Sequence, residues 1–169
     1  MNIPEASSSR KSIFSLCANK LDGTPLCFKD LAGKKILVVN TASKCGLTPQ
    51  YKDLQTLYDK YKNENFEIIG FPSNDFMSQE PLKNNEIGEF CQKNYGVTFT
   101  MMEKVAVKGS NMDPVYQFLT QKTKNGVEDY EMEWNFQKFL INEKGQIDKV
   151  ISPRISPLDD QIVSWIKAK

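Results

Sequence analysis

The chain has 169 residues, with 22 basic and 21 acidic side chains, four cysteines and no histidine. Its length suits a single domain with a substantial core, and its 40% apolar and 25% charged residues exclude fibrous architecture and wholesale disorder. The net charge of +1 gives no electrostatic reason to expect nucleic acid or an anionic membrane as a partner. Stable membrane insertion is not expected either, because no apolar run approaches the roughly 20 residues of a spanning helix. Any chemistry must also proceed without imidazole, the usual general base.

The first residues indicate how the chain is organised. Residues 1–11 are polar and contain no apolar segment of the kind found in secretory signals. We therefore expect a flexible N-terminus over residues 1–11, followed by one domain over residues 12–169, in a cytoplasmic protein.

Hydrophobic periodicity predicts strands and helices in alternation. Strands are predicted at 12–18, 26–28, 35–41, 67–71, 105–107, 136–141 and 146–151. Helices are predicted to begin at Thr48–Pro49, to cover 85–95, and to begin again at Asp113–Pro114 and Ser156–Pro157. The early strand–helix–strand order implies a parallel pair, and the late hairpin implies an antiparallel extension. The sequence thus predicts an α/β domain with a central mixed β-sheet flanked by helices and an N-terminal β-hairpin, which is compatible with a thioredoxin-like fold.

The four cysteines lack the CxxC spacing of zinc sites, and a chain of this length does not need a disulfide framework. Cys17 and Cys27 fall in the predicted hairpin, and we assign both to structure as small apolar side chains. A bond across the hairpin is geometrically conceivable, but the sequence does not support it.

Cys45 lies between a predicted buried strand and a predicted helix, in the segment TASKCGLT (residues 41–48). In open α/β sheets, ligands and catalytic groups collect at such junctions. Unpaired N–H groups and the positive end of the helix dipole favour a thiolate there, and Lys44 adds positive charge if its side chain turns that way. The position favours a nucleophile or redox centre. The alternative is a small buried hydrophobic residue in a tight junction.

Four segments then carry a resemblance to one family. NTASKCGLTPQY (residues 40–51) closely resembles the peroxidatic motif of the glutathione peroxidase family, in its cysteine-containing form. GFPSNDFMSQEP (70–81) and WNFQKFL (134–140) resemble the second and third motifs of that family. EFCQKNYGVTF (89–99) resembles the helix that carries the resolving cysteine in its thioredoxin-dependent members. The resemblance covers nearly the whole chain from about Ile13 and implies a thioredoxin-like fold.

The resemblance also implies the site residues. Cys45 matches the peroxidatic thiol, Gln79 the catalytic glutamine, and Trp134 and Asn135 the Trp-Asn pair of the third motif. These two amides and the indole N–H are neutral groups able to surround the sulfur and stabilise negative charge on it and on the leaving oxygen. Without the family, Trp134 would be interpreted as a core aromatic and the two amides as ordinary loop residues. The chemistry requires no metal, haem or flavin.

Cys91 has two interpretations. It falls on the apolar stripe of its predicted helix, which is typical of an inert core thiol, whereas the resemblance makes it the resolving cysteine that forms a disulfide with Cys45. Two cysteines on separate elements rarely have Cα atoms within roughly 7 Å. We therefore predict that the helix partly unwinds, which Gly88 inside it and Gly96 at its end would ease by weakening helix propensity.

The function implied by the resemblance is a thiol peroxidase that reduces hydrogen peroxide and organic or lipid hydroperoxides through a sulfenic acid at Cys45. An intramolecular disulfide and the presence of only Arg10 and Arg154 favour a thioredoxin-like dithiol protein over glutathione as reductant. The short segment before Trp134 resembles family members without the long oligomerisation insertion, which implies a monomer. The alternatives are a glutathione-dependent one-cysteine peroxidase, a peroxide sensor that oxidises a partner protein, a disulfide oxidoreductase, which the lack of CxxC disfavours, and a non-catalytic scaffold.

The loop before Gln79 departs from the family pattern. Ser73 replaces a frequent cysteine, Asp75 stands where glutamine is usual, and Met77 and Ser78 stand where small residues such as glycine are common. The conformation of this loop is therefore the part of the site that the resemblance determines least.

Overall fold

The computed structural model describes residues 9–168. The strands in this range are β1 (Cys17–Asn19), β2 (Pro25–Cys27), β3 (Lys35–Thr41), β4 (Phe66–Pro72), β5 (Thr100–Met101), β6 (Lys138–Ile141) and β7 (Ile147–Ile151). The α-helices are α1 (Gln50–Tyr61), α2 (Asn84–Tyr95), α3 (Pro114–Thr120), α4 (Lys122–Asn125) and α5 (Asp160–Lys167), and 3-10 helices cover Ile13–Ser15 and Phe28–Leu31. No helix between residues 9 and 168 combines the length and the apolar composition that crossing a bilayer requires.

Five strands form one mixed sheet in the order β5-β4-β3-β6-β7. β3, β4 and β5 are parallel, whereas β6 and β7 add antiparallel neighbours on the other side of β3. β1 and β2 form a separate antiparallel hairpin. The predicted α/β class, mixed sheet and N-terminal hairpin are therefore confirmed.

β3 is the centre of the molecule, and all seven of its residues are buried. Its side chains alternate between two cores: Leu37 and Val39 belong to one, Ile36 and Val38 to the other. Because successive side chains of a strand point to opposite faces, the two cores lie on opposite sides of the sheet. The first contains apolar residues of α1, α2 and α5, and the second contains those of α3. A strand that is covered on both faces needs apolar side chains on both faces, which explains the uninterrupted apolar run in β3.

Several element boundaries differ from the predictions. The predicted strand at 105–107 is absent, and β5 pairs with β4 five residues earlier at Thr100–Met101. α1 begins at Gln50, and Thr48 does not cap it. α5 begins at Asp160, where the side chain of Asp159 accepts a hydrogen bond from the Gln161 N–H (2.9 Å). Asp159 is thus the N-cap of α5, in place of the predicted start at Ser156.

The assignment of Cys17 and Cys27 to apolar packing is wrong, because the two residues form a disulfide bond. They lie directly opposite each other in the β1–β2 register. This pairing depends on the number of residues in the turn, which brings the two strands into alignment, and the spacing of the cysteines alone does not reveal it.

The N-terminal segment is described from residue 9 onwards, so residues 1–8 of the predicted flexible terminus lie outside the described residues. Arg10 forms an ion pair with Asp148 (2.9 Å), and the Lys11 N–H donates to the Asn125 carbonyl (2.9 Å). Residues 10 and 11 are thus attached to the body of the domain.

Asn40, near the end of β3, fixes the turn that precedes β6. Its Nδ2 donates to the Trp134 carbonyl (3.1 Å), its Oδ1 accepts from the Gln137 N–H (3.0 Å), and its own carbonyl accepts from the Phe136 N–H (2.7 Å). Phe136 has φ 69°, a left-handed conformation that is uncommon for a bulky residue and needs support from its surroundings. Its ring supplies part of that support by packing edge-on against Tyr51 (5.5 Å between centroids).

We predict that Asn40→Ala lowers the free energy of unfolding by about 2–4 kcal/mol, because it leaves the buried Gln137 N–H and the partly buried Trp134 carbonyl without a partner. Urea titration followed by circular dichroism measures the change. Asn63→Ala, at an exposed position, is the matched control and should change stability by less than about 0.5 kcal/mol. Equal stability of the two variants would show that Asn40 does not hold the turn.

Candidate active site

Cys45 lies in the short turn between β3 and α1, and its side chain is 8% exposed. Its sulfur accepts a hydrogen bond from the backbone N–H of Leu47 (3.3 Å). Its own N–H donates to the Thr48 hydroxyl (2.9 Å), which in turn donates to the Ala42 carbonyl (2.8 Å). Thr48, predicted to cap α1, therefore orders the cysteine turn. A backbone N–H directed at the sulfur stabilises negative charge on it.

Gln79 and Asn135 meet beside this turn. The Nδ2 of Asn135 donates to the Oε1 of Gln79 (3.0 Å), and the Gln79 carbonyl accepts from the N–H of Lys44 (2.9 Å), the residue before Cys45. Asn135 is fully buried, and its Oδ1 has no hydrogen-bond partner among residues 9–168. The structure thus brings two of the predicted amides together next to the cysteine turn and leaves one buried acceptor available.

Trp134 precedes Asn135 and is half-buried. Its ring contacts Phe76, with 5.4 Å between centroids, so the third predicted motif packs against the loop that carries Gln79. A cleft of about 290 Å³ adjoins the indole and is also lined by Glu133, Ser152, Pro153 and Arg154.

No pattern in the sequence indicated a role for Glu80, which joins the two loops of the site. Its carboxylate accepts a short hydrogen bond from the Ser43 hydroxyl (2.5 Å), while its N–H donates to the Asn74 side chain (2.9 Å). Glu80 is fully buried, and burial raises the pKa of its carboxyl. Since Ser43 lies two residues before Cys45 and Glu80 follows Gln79, this contact fixes one loop against the other. An acidic residue in a polar segment is expected to be exposed to solvent, so the sequence alone does not predict that Glu80 is buried.

The departures from the family pattern have visible structural effects. Met77 and Ser78 adopt positive φ values of 56° and 50°, a conformation in which glycine is not strained, and this explains why small residues are common there. Asp75 accepts hydrogen bonds from the N–H groups of Val107 (2.7 Å) and Lys108 (3.2 Å). The loop is therefore held by side-chain contacts, although two of its residues are conformationally strained.

Cys91 lies on α2, in the same core as Cys45, and both thiols are free. It is 2% exposed, and burial raises the pKa of its thiol from 9.0 to about 11, with the nearby Glu80 carboxyl acting in the same direction. Tyr51 packs against the rings of Phe90 (6.5 Å) and Tyr95 (5.5 Å), which flank Cys91 on α2. In this conformation Cys91 is a protonated core thiol.

The end of α2 corrects one expectation. Gly96 has φ 58°, and its N–H donates to the Gln92 carbonyl (3.0 Å), while the Val97 N–H donates to the Cys91 carbonyl (3.3 Å). Gly96 is therefore a C-cap that stabilises the end of the helix, and does not weaken it as predicted. Gly88 remains as an interior glycine in α2.

Comparison with known proteins agrees with this geometry. The family model described as glutathione peroxidase matches residues 13–120. A glutathione peroxidase-like peroxiredoxin of Schizosaccharomyces pombe is 56% identical over 135 residues, which cover 79% of this chain and 84% of that protein. A hydroperoxy fatty acid reductase of Synechocystis sp. is 44% identical over 148 residues, covering 83% and 86% of the two chains.

Solved structures agree as well. The crystal structure of Trgpx in apo form is 32% identical with a TM-score of 0.72, over 94% of this chain and 97% of that one. A thiol:disulfide interchange protein of the thioredoxin family from Chlorobium tepidum has a TM-score of 0.65 at 17% identity, over 90% and 93% of the chains. The second likeness confirms the predicted thioredoxin-like fold. From the matched family model and the identity to curated relatives, the chain belongs to the glutathione peroxidase family.

Proposed function

We propose that the chain is a thiol peroxidase in which Cys45 attacks one oxygen of a hydroperoxide. A sulfur–oxygen bond forms and the O–O bond breaks, which leaves a sulfenic acid on Cys45 and releases water or an alcohol. The observation that carries this proposal is the Cys45 sulfur held by the Leu47 amide, beside the Gln79–Asn135 pair. The proton of the thiol balances the step by passing to the leaving oxygen.

The neutral groups around Cys45 have separate roles in this proposal. The Leu47 amide stabilises charge on sulfur before the attack. The unpartnered Oδ1 of Asn135 accepts a hydrogen bond from the Cys45 thiol or from a peroxide O–H, and the amide of Gln79 orients Asn135. Trp134 lines the cleft, and in this proposal its indole N–H donates a hydrogen bond to the leaving oxygen. Because these groups are neutral, the site needs no histidine.

We predict that Asn135→Ala and Gln79→Ala each lower the second-order rate constant for oxidation of Cys45 by hydrogen peroxide by about 10²–10³, as loss of one preorganised hydrogen-bonding group does. Stopped-flow tryptophan fluorescence and titration of the remaining thiol measure the rate. Gln161→Ala, on the exposed face of α5, is the control and should react as the wild type does. Wild-type rates in both site variants would remove these amides from the mechanism.

The second step of the cycle joins Cys91 to Cys45. The Cys91 sulfur attacks the sulfenic sulfur, the hydroxyl leaves as water with the proton of the Cys91 thiol, and a disulfide forms. Cys91 is buried among the rings around Tyr51, so this step requires α2 to open and part of that packing to be lost. A dithiol protein of the thioredoxin type then reduces the disulfide.

The buried Cys91 thiol makes the stability of the fold depend on pH. Its pKa is about 11 in the folded chain and 9.0 in an unperturbed thiol, so the unfolded chain releases this proton at lower pH. The contribution of this thiol to the free energy of unfolding is therefore fully present below pH 9 and is lost as the pH rises towards 11. We predict that Cys45→Ser, which retains Cys91, loses about 2 kcal/mol of unfolding free energy over that interval relative to the control Cys45→Ser/Cys91→Ala. Denaturant titrations at pH 8, 9, 10 and 11 measure it; parallel curves for the two proteins would contradict a buried neutral thiol.

Mass spectrometry tests the two-cysteine cycle directly. We predict that one equivalent of peroxide produces a Cys45–Cys91 disulfide, and that Cys91→Ser accumulates oxidised Cys45 and loses turnover with thioredoxin. Cys45 oxidised without a bond to Cys91 in the wild type would contradict the cycle. Faster turnover with glutathione than with thioredoxin, at matched thiol concentration, would favour the one-cysteine alternative. Capture of a regulatory protein by Cys91→Ser would favour the sensor.

For the substrate we propose hydrogen peroxide and fatty-acid hydroperoxides. The Synechocystis relative is named as a hydroperoxy fatty acid reductase. Met77, two residues before Gln79, is 77% exposed and offers an apolar surface to an acyl chain beside the site. The expectations of a monomer and of a cytoplasmic location belong to the same proposal, and the first rests on the short segment before Trp134.

A further inference from the structure

An exposed disulfide closes the N-terminal hairpin. Cys17 is exposed and Cys27 is half-buried, and the two face each other on the outer side of the hairpin. On the inner side, Ala18 and Leu26 pack against the core that lies opposite the active-site cysteines. The disulfide is thus reachable from solvent and takes no part in either hydrophobic core.

The hairpin is attached to the edge of the main sheet just beyond the disulfide. The Leu21 N–H donates to the Met101 carbonyl (3.1 Å), and the Glu103 N–H donates to the Asn19 carbonyl (2.9 Å). Between them, Lys20 and Met102 form an isolated antiparallel bridge. The chain that follows Cys17 therefore continues the sheet next to β5.

The same segment contacts α2. Leu21 packs on the face of α2 that contains Gly88: a β-carbon at Gly88 would lie 3.7 Å from the Leu21 Cδ1. Gly88 precedes Cys91 by about one helical turn. A groove of about 280 Å³ runs between the two elements, with Lys20, Leu21 and Asp22 on one wall and Gly88, Cys91 and Gln92 on the other. Any opening of α2 that releases Cys91 therefore takes place against the hairpin.

We propose that the Cys17–Cys27 disulfide is a second redox site of the chain, reduced by a dithiol protein, and that its reduction loosens the hold of the hairpin on α2. In the first step a thiolate of the reductant attacks the exposed Cys17 sulfur, forming a mixed disulfide and releasing the Cys27 thiolate, which takes up a proton. The second thiol of the reductant then releases Cys17 as a thiol. Two electrons pass to the hairpin, and the reductant becomes a disulfide. The ratio of the dithiol form to the disulfide form of the reductant decides whether the hairpin is reduced or oxidised.

The size of the hairpin explains why the bond matters. Each strand has three residues, and two-stranded hairpins of this length are marginal in water. The disulfide restricts the open conformations of the hairpin, so its loss allows the Leu21 segment to separate from α2 more often. If the proposed two-cysteine cycle holds, a reduced hairpin speeds delivery of Cys91 to Cys45. An oxidised hairpin, when the reductant is exhausted, prolongs the lifetime of the sulfenic acid.

The first test uses Cys45→Ser/Cys91→Ser, in which Cys17 and Cys27 are the remaining cysteines of the four. Incubation with purified thioredoxin, its reductase and NADPH should release two thiols per chain without denaturant, as counted by thiol titration. A disulfide that resists this treatment would overturn the proposal that it is a redox site.

The second test measures hydrogen exchange of α2 in the same variant with the hairpin oxidised and reduced. Amides of residues 84–95 should exchange about tenfold faster in the reduced protein, as a modest loss of local stability produces. Leu21→Ala in this background keeps the disulfide but removes the contact with Gly88, so exchange in α2 should be fast in both redox states. Identical exchange in the oxidised and reduced parent would overturn the coupling, and so would a full redox effect in the Leu21→Ala variant.

The third test is kinetic and uses Cys17→Ser/Cys27→Ser beside the wild type with its hairpin oxidised. After a peroxide pulse, the rate at which the Cys45–Cys91 bond forms should be about tenfold higher in the variant, while Cys45 oxidation itself is unchanged. Equal rates of bond formation would overturn the effect on the cycle. Failure of Cys45 to react with peroxide would refute the proposed function. It would not decide the role of the hairpin, because thiol release and hydrogen exchange, the first two tests, need no peroxide chemistry.

Discussion

The end of β3 is the constraint on which the site depends. β3 is covered on both faces and paired on both edges, so the backbone groups at its end need partners inside the protein. Asn40 meets this need by holding the turn that carries Trp134 and Asn135. The Thr41 carbonyl accepts from the Ser73 N–H (3.0 Å), which starts the loop that carries Gln79. One buried strand end thereby places both partner segments beside the cysteine turn.

The site obtains its polarity from neutral groups and one buried acid. Burial raises the pKa of the Glu80 carboxyl, one oxygen of which accepts the short hydrogen bond from Ser43. That contact joins the two loops of the site. Backbone N–H groups and amides stabilise an anion without holding a proton that neutral pH can remove. In the proposed mechanism, positioned neutral groups therefore take the place of the imidazole that other enzymes protonate and deprotonate.

Periodicity was sufficient for the buried strands and for α2, because an apolar run and a helical stripe report burial directly. It failed at residues 105–107, where the polar contacts of the segment hold it as a loop and the short edge strand forms earlier, at Thr100–Met101. The site residues came from the family resemblance, since an amide in a loop has no pattern of its own. The disulfide, the role of Asn40 and the burial of Glu80 depend on how distant segments align in the folded chain, and a single sequence does not show that alignment directly.

The two cores on opposite faces of the sheet have a kinetic consequence. In the proposed cycle, opening of α2 disturbs one core, while the other, which contains Ile36, Val38 and residues of α3, keeps the sheet assembled as a template. The helix then re-forms on an existing surface, and helix–coil relaxation takes about a microsecond or less. Thiol–disulfide exchange between proteins is a bimolecular reaction that waits for an encounter, so reclosure of the helix should not set the pace of turnover. Such an enzyme could unfold part of itself in every cycle with little loss of speed.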